Sequence, residues 1–280
     1  MPSPRIVALQ PSISVTLAAL GKLDHLVACT RWCVDQVPEL TARNLPILAD
    51  SWSATKEDLA QLAQLHPDII LASVPYRMES LAAILQAGPP VLALSPKNLA
   101  DIHSDTRLLA SLVHASQEAE VLITHMQQAL TEVREKCQNA APQKVYAEEW
   151  GKPLIHSQQW VNELVEAAGG TPVGLPNQHS TPEQIVAAAP DVLLLAWCGA
   201  GDRVPLERVV EQRSWQNLRA VRERRMFCIP DEFLNTPAIP SLLDGLACIA
   251  AAIHPEIFPV PARLIQVSPQ NDDLLGSFLA

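Results

Sequence analysis

The chain has 280 residues, a length that favours two lobes of about 100 to 150 residues each and excludes a peptide or a mini-scaffold. Apolar residues make up 48% of the sequence and charged residues 18%, which excludes a disordered chain. The formal net charge of −10 repels phosphate backbones and anionic membrane surfaces, so nucleic acid is not an expected partner.

Several side-chain classes carry no recognisable motif. Seven arginines between residues 203 and 225 alternate with acidic residues and are typical of a solvated helix face. The six cysteines form no CxxC pair, which favours buried reduced thiols, and the histidines form no HxxxH or HExxH pair that would indicate a zinc site. The longest apolar run, at 242–253, is too short for a membrane helix, so membrane insertion is not expected.

The N-terminal segment predicts a strand followed by a loop and a helix. One arginine precedes apolar residues, as in a secretory signal, but Gln10, Pro11 and Ser12 interrupt the apolar run after four residues. No export signal is therefore predicted in the sequence as written. We expect a cytoplasmic protein, or a periplasmic or extracellular one if the N-terminus has been trimmed.

An approximate internal repeat organises the chain. The segment EDLAQLAQLHPDIILAS at 57–73 is echoed by EQIVAAAPDVLLLAW at 183–197, each with a short helix, a Pro-Asp pair and a continuous apolar run. Such a run is typical of a strand buried on both faces in a parallel sheet. The segment 5–21 also resembles 144–170, and 91–96 resembles 226–231. The repeat predicts an α/β fold with two Rossmann-like lobes and mainly parallel sheets.

One long helix is predicted between the two copies. Apolar or small residues recur every three or four positions over 116–138, and a helix of about 20 residues extends roughly 30 Å. We therefore expect an N-terminal lobe at 1–115, a bridging helix at 116–138, a C-terminal lobe at 139–258 and a tail at 259–280.

The loops after the predicted strands are the candidate binding site, because ligands of open α/β sheets bind beyond the carboxyl ends of the strands. Tryptophan supplies six of the twelve aromatic residues, and four of the six fall in these loops. The expected ligand-binding residues are Trp32, Cys33, Trp52, Tyr76, Arg77, Glu149, Trp150, Trp197, Cys198 and Phe233. Aromatic rings facing one cleft suit a large, flat, partly apolar ligand. Trp215, in a helix-like segment, is expected to be ordinary packing.

The charges in these loops limit the kind of ligand that is expected, and the absence of catalytic motifs limits the kind of activity. Acidic residues outnumber Arg77 in these loops, which favours a neutral or cationic ligand. No nucleophile motif or paired carboxylate is recognisable, and adjacent Glu148 and Glu149 would point to opposite sides of a strand. An enzyme, and with it a catalytic cofactor, is not expected. The alternative is a metal-dependent enzyme using His156, His179 and the Glu149 loop.

The order of these blocks resembles the helical-backbone class of ABC-transporter substrate-binding proteins, and most closely the vitamin B12-binding proteins and their relatives. The resemblance covers residues 5–258 and includes TRWCVDQVPE, WVNELVEAAGG and MFCIPDEFLN. It implies that a corrinoid such as cobalamin or cobinamide lies between the lobes. The positions matching the family's ligand-contacting aromatic residues are Trp32, Trp52, Trp150, Trp197 and Phe233.

The resemblance also implies a partner. In this family each lobe docks on the membrane permease through a surface glutamate, which matches Glu183 in the second lobe and falls on Ala60 in the first. We therefore expect a monomeric binding protein that contacts an ABC permease through Glu183, or a binding protein uncoupled from import. The alternative ligands for the same fold are heme, a siderophore or another metal chelate.

Overall fold

The computed structural model describes residues 3–50, 52–53, 61–62, 64–86 and 88–268. The chain divides into two compact units. Unit 1 comprises Met1–Ala129 and Thr236–Leu243, and unit 2 comprises Leu130–Asn235 and Asp244–Ala280. Within the described residues, no helix is both long and apolar enough to span a bilayer.

Unit 1 is built on a five-stranded parallel sheet. Its strands are β1 (Ile6–Ala8), β2 (Leu26–Thr30), β3 (Ile47–Leu48), β4 (Ile69–Ala72) and β5 (Val91–Ala93), in the order β3-β2-β1-β4-β5. Its helices are α1 (Pro11–Ala19), α2 (Arg31–Gln36), α3 (Met78–Gln86) and α4 (Leu99–Leu112). Successive side chains of β1 enter separate apolar clusters, with Ile6 in one and Val7 in the other. The sheet is therefore buried on both faces, as its continuous apolar runs predict.

The chain crosses between the units at three points, two of which lie inside helices. The helix predicted at 116–138 is α5 (Ser116–Cys137), and the division falls inside it, after Ala129. The second boundary falls after Asn235, and the third falls after Leu243, inside α11 (Ile239–Ile253), a helix rich in alanine and isoleucine. The chain therefore passes from one unit to the other through a second helix besides the predicted one.

Unit 2 contains a seven-stranded mixed sheet. Its strands are β6 (Gln143–Gly151), β7 (Leu154–His156), β8 (Gly170–Pro172), β9 (His179–Ser180), β10 (Val192–Leu195), β11 (Met226–Cys228) and β12 (Ile265–Gln266). Its helices, besides the ends of α5 and α11, are α6 (Gln159–Ala167), α7 (Pro182–Ala188), α8 (Leu206–Gln212), α9 (Arg219–Arg222) and α10 (Asp231–Leu234). Strands β8, β6, β10 and β11 are parallel, whereas β7, β9 and β12 pair antiparallel with their neighbours. The prediction of mainly parallel sheets therefore applies to the central strands.

The internal repeat corresponds to a repeated strand order. The order β2-β1-β4-β5 in unit 1 matches β8-β6-β10-β11 in unit 2. The two Pro-Asp pairs make equivalent contacts, since Asp68 Oδ2 accepts the Arg5 N–H at 2.8 Å and Asp191 Oδ2 accepts the Lys144 N–H at 2.9 Å. Each carboxylate thus fixes the residue at the start of its unit's first strand. Counting onward from Arg5 and Lys144 aligns Leu9 with Glu148.

Candidate functional site

In unit 1, one carboxylate organises the two tryptophans at the carboxyl ends of β2 and β3. Trp32 is the second residue of α2, directly after β2, and its Nε1 donates to Asp50 Oδ2 at 3.0 Å. The other oxygen of Asp50 accepts the backbone N–H groups of Trp52 and Ser53 at 3.1 and 2.7 Å. Trp32 is 41% exposed and Trp52 is 52% exposed. The Trp32 ring and the Trp52 backbone are thus held at the surface by an aspartate that belongs to no sequence motif.

The remaining predicted residues of unit 1 differ in their exposure. Tyr76 is half-buried and Arg77 is exposed, and both follow β4 at the same edge of the parallel sheet. Cys33 is fully buried: its amide bonds to the Thr30 hydroxyl that caps α2, and its Sγ lies 3.8 Å from the Ala8 carbonyl. The expectation that Cys33 contacts the ligand is therefore wrong, because its side chain lies on the inner face of α2 and packs into the core of unit 1.

In unit 2, a hairpin carries Trp150 and Glu149. Strand β6 runs on to Gly151 and turns into β7, with a bulge between Glu148 and Trp150. Trp150 is 44% exposed, and its Nε1 donates to the Lys152 carbonyl at 2.9 Å. Glu149 accepts a hydrogen bond from Gln158 Nε2 at 2.7 Å, and burial raises the pKa of its carboxyl group. The predicted loop at 148–150 is thus a strand whose end is stiffened by pairing.

A buried ion pair lies beneath Trp197. Glu148 is fully buried and Arg213 has a side chain only 8% exposed, and the two form paired hydrogen bonds of 2.8 and 2.9 Å. Glu148 Oε1 also accepts the Trp197 indole N–H at 2.6 Å, and its Oε2 accepts the Tyr146 hydroxyl. Burial is the main cause of the raised pKa of Tyr146. Glu148 and Glu149 therefore do point to different partners, as strand alternation predicts.

The expectation that the arginines at 203–225 form one solvated face is wrong for two of them. Arg213 is buried as described, and Arg225 donates to the carbonyl of Ile253 at 2.8 Å, near the end of α11. Arg219, by contrast, is exposed and pairs with Glu223 at 2.8 Å. Trp215 is fully buried, as predicted, and packs edge-on against Tyr146. Local charge alternation does not reveal partners that lie tens of residues away.

The loops after β10 and β11 are joined through Asp231. Its carboxylate accepts the backbone N–H groups of Gly199 and Gly201 at 2.8 and 2.6 Å, while burial raises its pKa. Cys198 is half-buried and accepts from Asn235 Nδ2 at 3.3 Å, and burial is the main cause of its raised thiol pKa. Phe233 is half-buried, with the Arg263 guanidinium 5.0 Å from its ring centroid. These contacts bring the remaining predicted residues to the carboxyl edge of β10 and β11.

The two histidines of the alternative interpretation, a metal-dependent enzyme, differ in their exposure. His156 is buried, its Nε2 lies 3.0 Å from Ser180 Oγ, and its ring packs edge-on against Tyr146. Burial lowers the pKa of His156. His179 lies exposed on β9. Over residues 3–268, apart from the gaps noted above, no three His, Cys, Asp or Glu side chains are grouped to hold a metal ion.

Of the two positions that match the family's docking glutamates, only Glu183 lies among the described residues. Glu183 is exposed in the first turn of α7, and a hydrogen bond from Thr181 is the main cause of its lowered pKa. Ala60 lies outside the described residues.

Comparisons with known proteins point to one fold and several ligands. The sequence model of a family described as periplasmic binding protein matches residues 6–233. A vitamin B12-binding protein of Pectobacterium carotovorum is 28% identical over 229 residues, covering 78% of each chain. A periplasmic heme-binding protein of Pseudomonas aeruginosa superimposes with a TM-score of 0.81 at 21% identity, covering 95% of this chain and 99% of that one. The periplasmic vitamin B12-binding protein of Vibrio cholerae has a TM-score of 0.71 at 22% identity, covering 90% and 97%.

Proposed function

Because the chain belongs to the periplasmic binding protein family, we propose that it binds a corrinoid, such as cobalamin or cobinamide, without transforming it. The observation that carries the proposal is the set of exposed indoles at the carboxyl ends of the strands: Trp32 and Trp52 in unit 1, and Trp150 in unit 2. Trp32 and Trp150 donate their indole N–H groups to Asp50 and to the Lys152 carbonyl, and large rings held in this way provide contact area at little entropic cost. The vitamin B12-binding relative at 28% identity supports the choice of ligand class.

The charged residues of unit 2 favour a ligand whose ring substituents are uncharged. The guanidinium groups of Arg213 and Arg263 are paired with Glu148 and Glu232 at 2.8 and 2.6 Å. The carboxyl groups of Glu149 and Asp231 lie near Cys198, whose thiol pKa is raised mainly by burial and secondarily by these groups. Amide N–H groups, which a corrinoid carries around its ring, are suited to such acceptors. Carboxylate substituents would be repelled by them.

Heme is the second candidate. The Pseudomonas aeruginosa heme-binding protein shares the fold, and in unit 1 the guanidinium of Arg31 lies 4.8 Å from the Trp32 ring centroid. Arg31 and Arg77 are both exposed, and they pair with Asp35 and Glu79 at 3.6 and 4.0 Å. Such loosely paired guanidinium groups could bind the carboxylates of heme.

The proposal is tested by a calorimetric titration of the full chain with cobalamin, cobinamide and heme. We expect a saturable signal with a corrinoid, and a loss of at least about tenfold in affinity for Trp52→Ala and for Trp197→Ala, because each removes a large apolar contact. Trp160→Phe, a change at a buried ring of α6, is the matched control for altered tryptophan content. Saturable binding of heme alone would replace the corrinoid proposal, and binding of neither at high micromolar protein would overturn both.

Proposed docking to an ABC permease rests on Glu183. Its side chain is exposed, and its pKa is lowered from the ordinary value of 4.5, so it is ionised at neutral pH and can pair with a basic permease surface. Glu183→Ala should leave corrinoid binding unchanged and abolish pull-down of a cognate permease reconstituted in nanodiscs. Undiminished pull-down would exclude Glu183 as the contact.

A further inference from the structure

A carboxylate is fully buried at a position where the fold does not require one. Glu148 aligns with Leu9 of unit 1, which is 1% exposed and packs among Val7, Ala28 and Ile70. The same strand position thus accepts an apolar side chain in one unit and a paired charge in the other. Because burying a charge is unfavourable unless it is fully hydrogen-bonded, the charge at 148 calls for a specific reason.

Glu148 and Arg213 together immobilise Trp197 in two directions. Glu148 Oε1 accepts the indole N–H at 2.6 Å, which fixes the ring within its own plane. A Cβ added to Gly151 would lie 2.2 Å from the indole carbon Cζ2, so the ring rests directly on the Gly151 backbone. Arg213 Nη2 bonds to the Gly151 carbonyl at 2.9 Å and thereby ties this support to the same ion pair.

The ion pair is itself held by aromatic side chains. The Arg213 guanidinium lies 4.8 Å from the Trp215 ring centroid and 5.7 Å from that of Trp197. The hydroxyl of Tyr146 fills a further acceptor position on Glu148. Trp197 remains half-buried, so one part of the indole is anchored and another part is open to a ligand.

We propose that Glu148 and Arg213 are positioning residues, which hold the Trp197 indole in its ligand-binding orientation before the ligand arrives. The inference rests on the proposed function. An indole that is already fixed loses little rotational freedom on binding, so the pair raises affinity without touching the ligand.

The experiment uses the full chain labelled with 5-fluorotryptophan. Its ¹⁹F NMR spectrum should contain one resonance for each of the six tryptophans, and the single variants Trp32→Phe, Trp52→Phe and Trp197→Phe assign the resonances of these three. The test variants are Arg213→Lys, which keeps the charge but not the paired hydrogen bonds, and the triple variant Tyr146→Phe, Glu148→Leu, Arg213→Met. The triple variant removes the buried anion together with its cation and the phenol hydroxyl, so that no charge is left uncompensated in the core. Arg219→Met, at an exposed arginine of the same unit, is the matched control.

The Trp197 resonance should shift and broaden in both test variants and remain unchanged in Arg219→Met, while the resonances of Trp32 and Trp52 stay constant. Corrinoid affinity should fall about tenfold in the test variants, whereas in the Trp197→Phe background Arg213→Lys should have little further effect. A Trp197 resonance or an affinity that stays at the wild-type value would overturn the inference. If the wild-type protein binds no corrinoid, the proposed function fails, whereas an unchanged spectrum in the variants shows independently that the positioning role is absent.

Discussion

The two units share a strand order but stabilise the end of the first strand differently. In unit 1, β1 ends in apolar residues, and Leu9 packs into the core. In unit 2, the corresponding strand continues into a hairpin, and Glu148 at the matching position binds Arg213 and Trp197. The comparison shows that the repeated framework tolerates either solution. The charged residue at position 148 is therefore explained by its contacts with the hairpin and Trp197, and not by the packing of the sheet.

The organising carboxylates differ in the same way. Asp50 in unit 1 is only half-buried and holds Trp32 together with the backbone of Trp52. Glu148 in unit 2 is fully buried and accepts the indole N–H of a single tryptophan, Trp197. Both arrangements fix a tryptophan at the carboxyl edge of a sheet, but only the buried one depends on a compensating arginine.

The largest effect is expected for Arg213→Met, which leaves Glu148 buried without its cation. The free energy of unfolding should fall by about 3 to 5 kcal/mol, because the remaining charge is uncompensated. Urea denaturation followed by tryptophan fluorescence measures this change. The triple variant that also replaces Tyr146 and Glu148 should recover most of the loss. Equal losses in the two variants would show that the pair stabilises unit 2 by packing alone.

An intermediate and equal effect is expected for the two repeated aspartates. Asp68→Ala and Asp191→Ala each remove a charge-assisted hydrogen bond to the backbone at the start of a first strand, and each should reduce the free energy of unfolding by about 1 to 2 kcal/mol. Urea denaturation again measures the change. Asp35→Ala, which removes an exposed pair with Arg31 at 3.6 Å, should change stability by less than about 0.5 kcal/mol. Clearly unequal losses for Asp68 and Asp191 would contradict their equivalence.

The smallest effect is expected at Asp105 of unit 1, a half-buried carboxyl group that lacks the compensation Glu148 has. Burial, and secondarily the like charge of Asp101, raises its pKa from 3.8 to about 6. A raised pKa means that the native state holds the proton more tightly. This stabilisation is present below pH 3.8 and is lost as the pH rises through about 6. Asp105→Asn should therefore stabilise the protein by about 1 kcal/mol at about pH 7.5, after allowance for partial solvent exposure.

Thermal melts of the wild type and Asp105→Asn between about pH 3.5 and 8 test this dependence. The difference in melting temperature should be positive at about pH 7.5 and should become small as the pH falls below 3.8, where the wild-type aspartate is mostly protonated in both states. A difference that does not vary with pH would exclude ionisation of Asp105 as its cause.

The strands and the repeat can be predicted because their signals are local. Continuous apolar runs after the Pro-Asp pairs indicate buried strands, and the order of those runs fixes which strands correspond in the two units. The positions of Trp32, Trp52 and Trp150 at strand ends follow from the same pattern. The pairing of β6 with β7 has no comparable signal, because two adjacent glutamates interrupt the apolar run that indicates a buried strand.

The contacts of the candidate site cannot be predicted from the sequence, because they join residues far apart along the chain. Arg213 and Glu148 are separated by 65 positions, and a helix-spacing argument relates an arginine only to neighbours three or four residues away. The expectation for Cys33 fails because successive residues of a helix face different directions, and this one faces the core. Asp50 gives no signal, since a single aspartate in a loop has no characteristic spacing.

The contact between Gly151 and Trp197 has an evolutionary consequence. A side chain at position 151 would occupy the space of the indole, so Gly151 can change only if residue 197 becomes smaller or turns away. Glu148 would then lose a hydrogen-bond donor, and selection would no longer maintain Arg213 as the partner of Glu148. Positions 148, 151, 197 and 213 should therefore vary together among descendants of this sequence, and a homologue with an apolar residue at 148 would be expected to have a different ligand surface in unit 2.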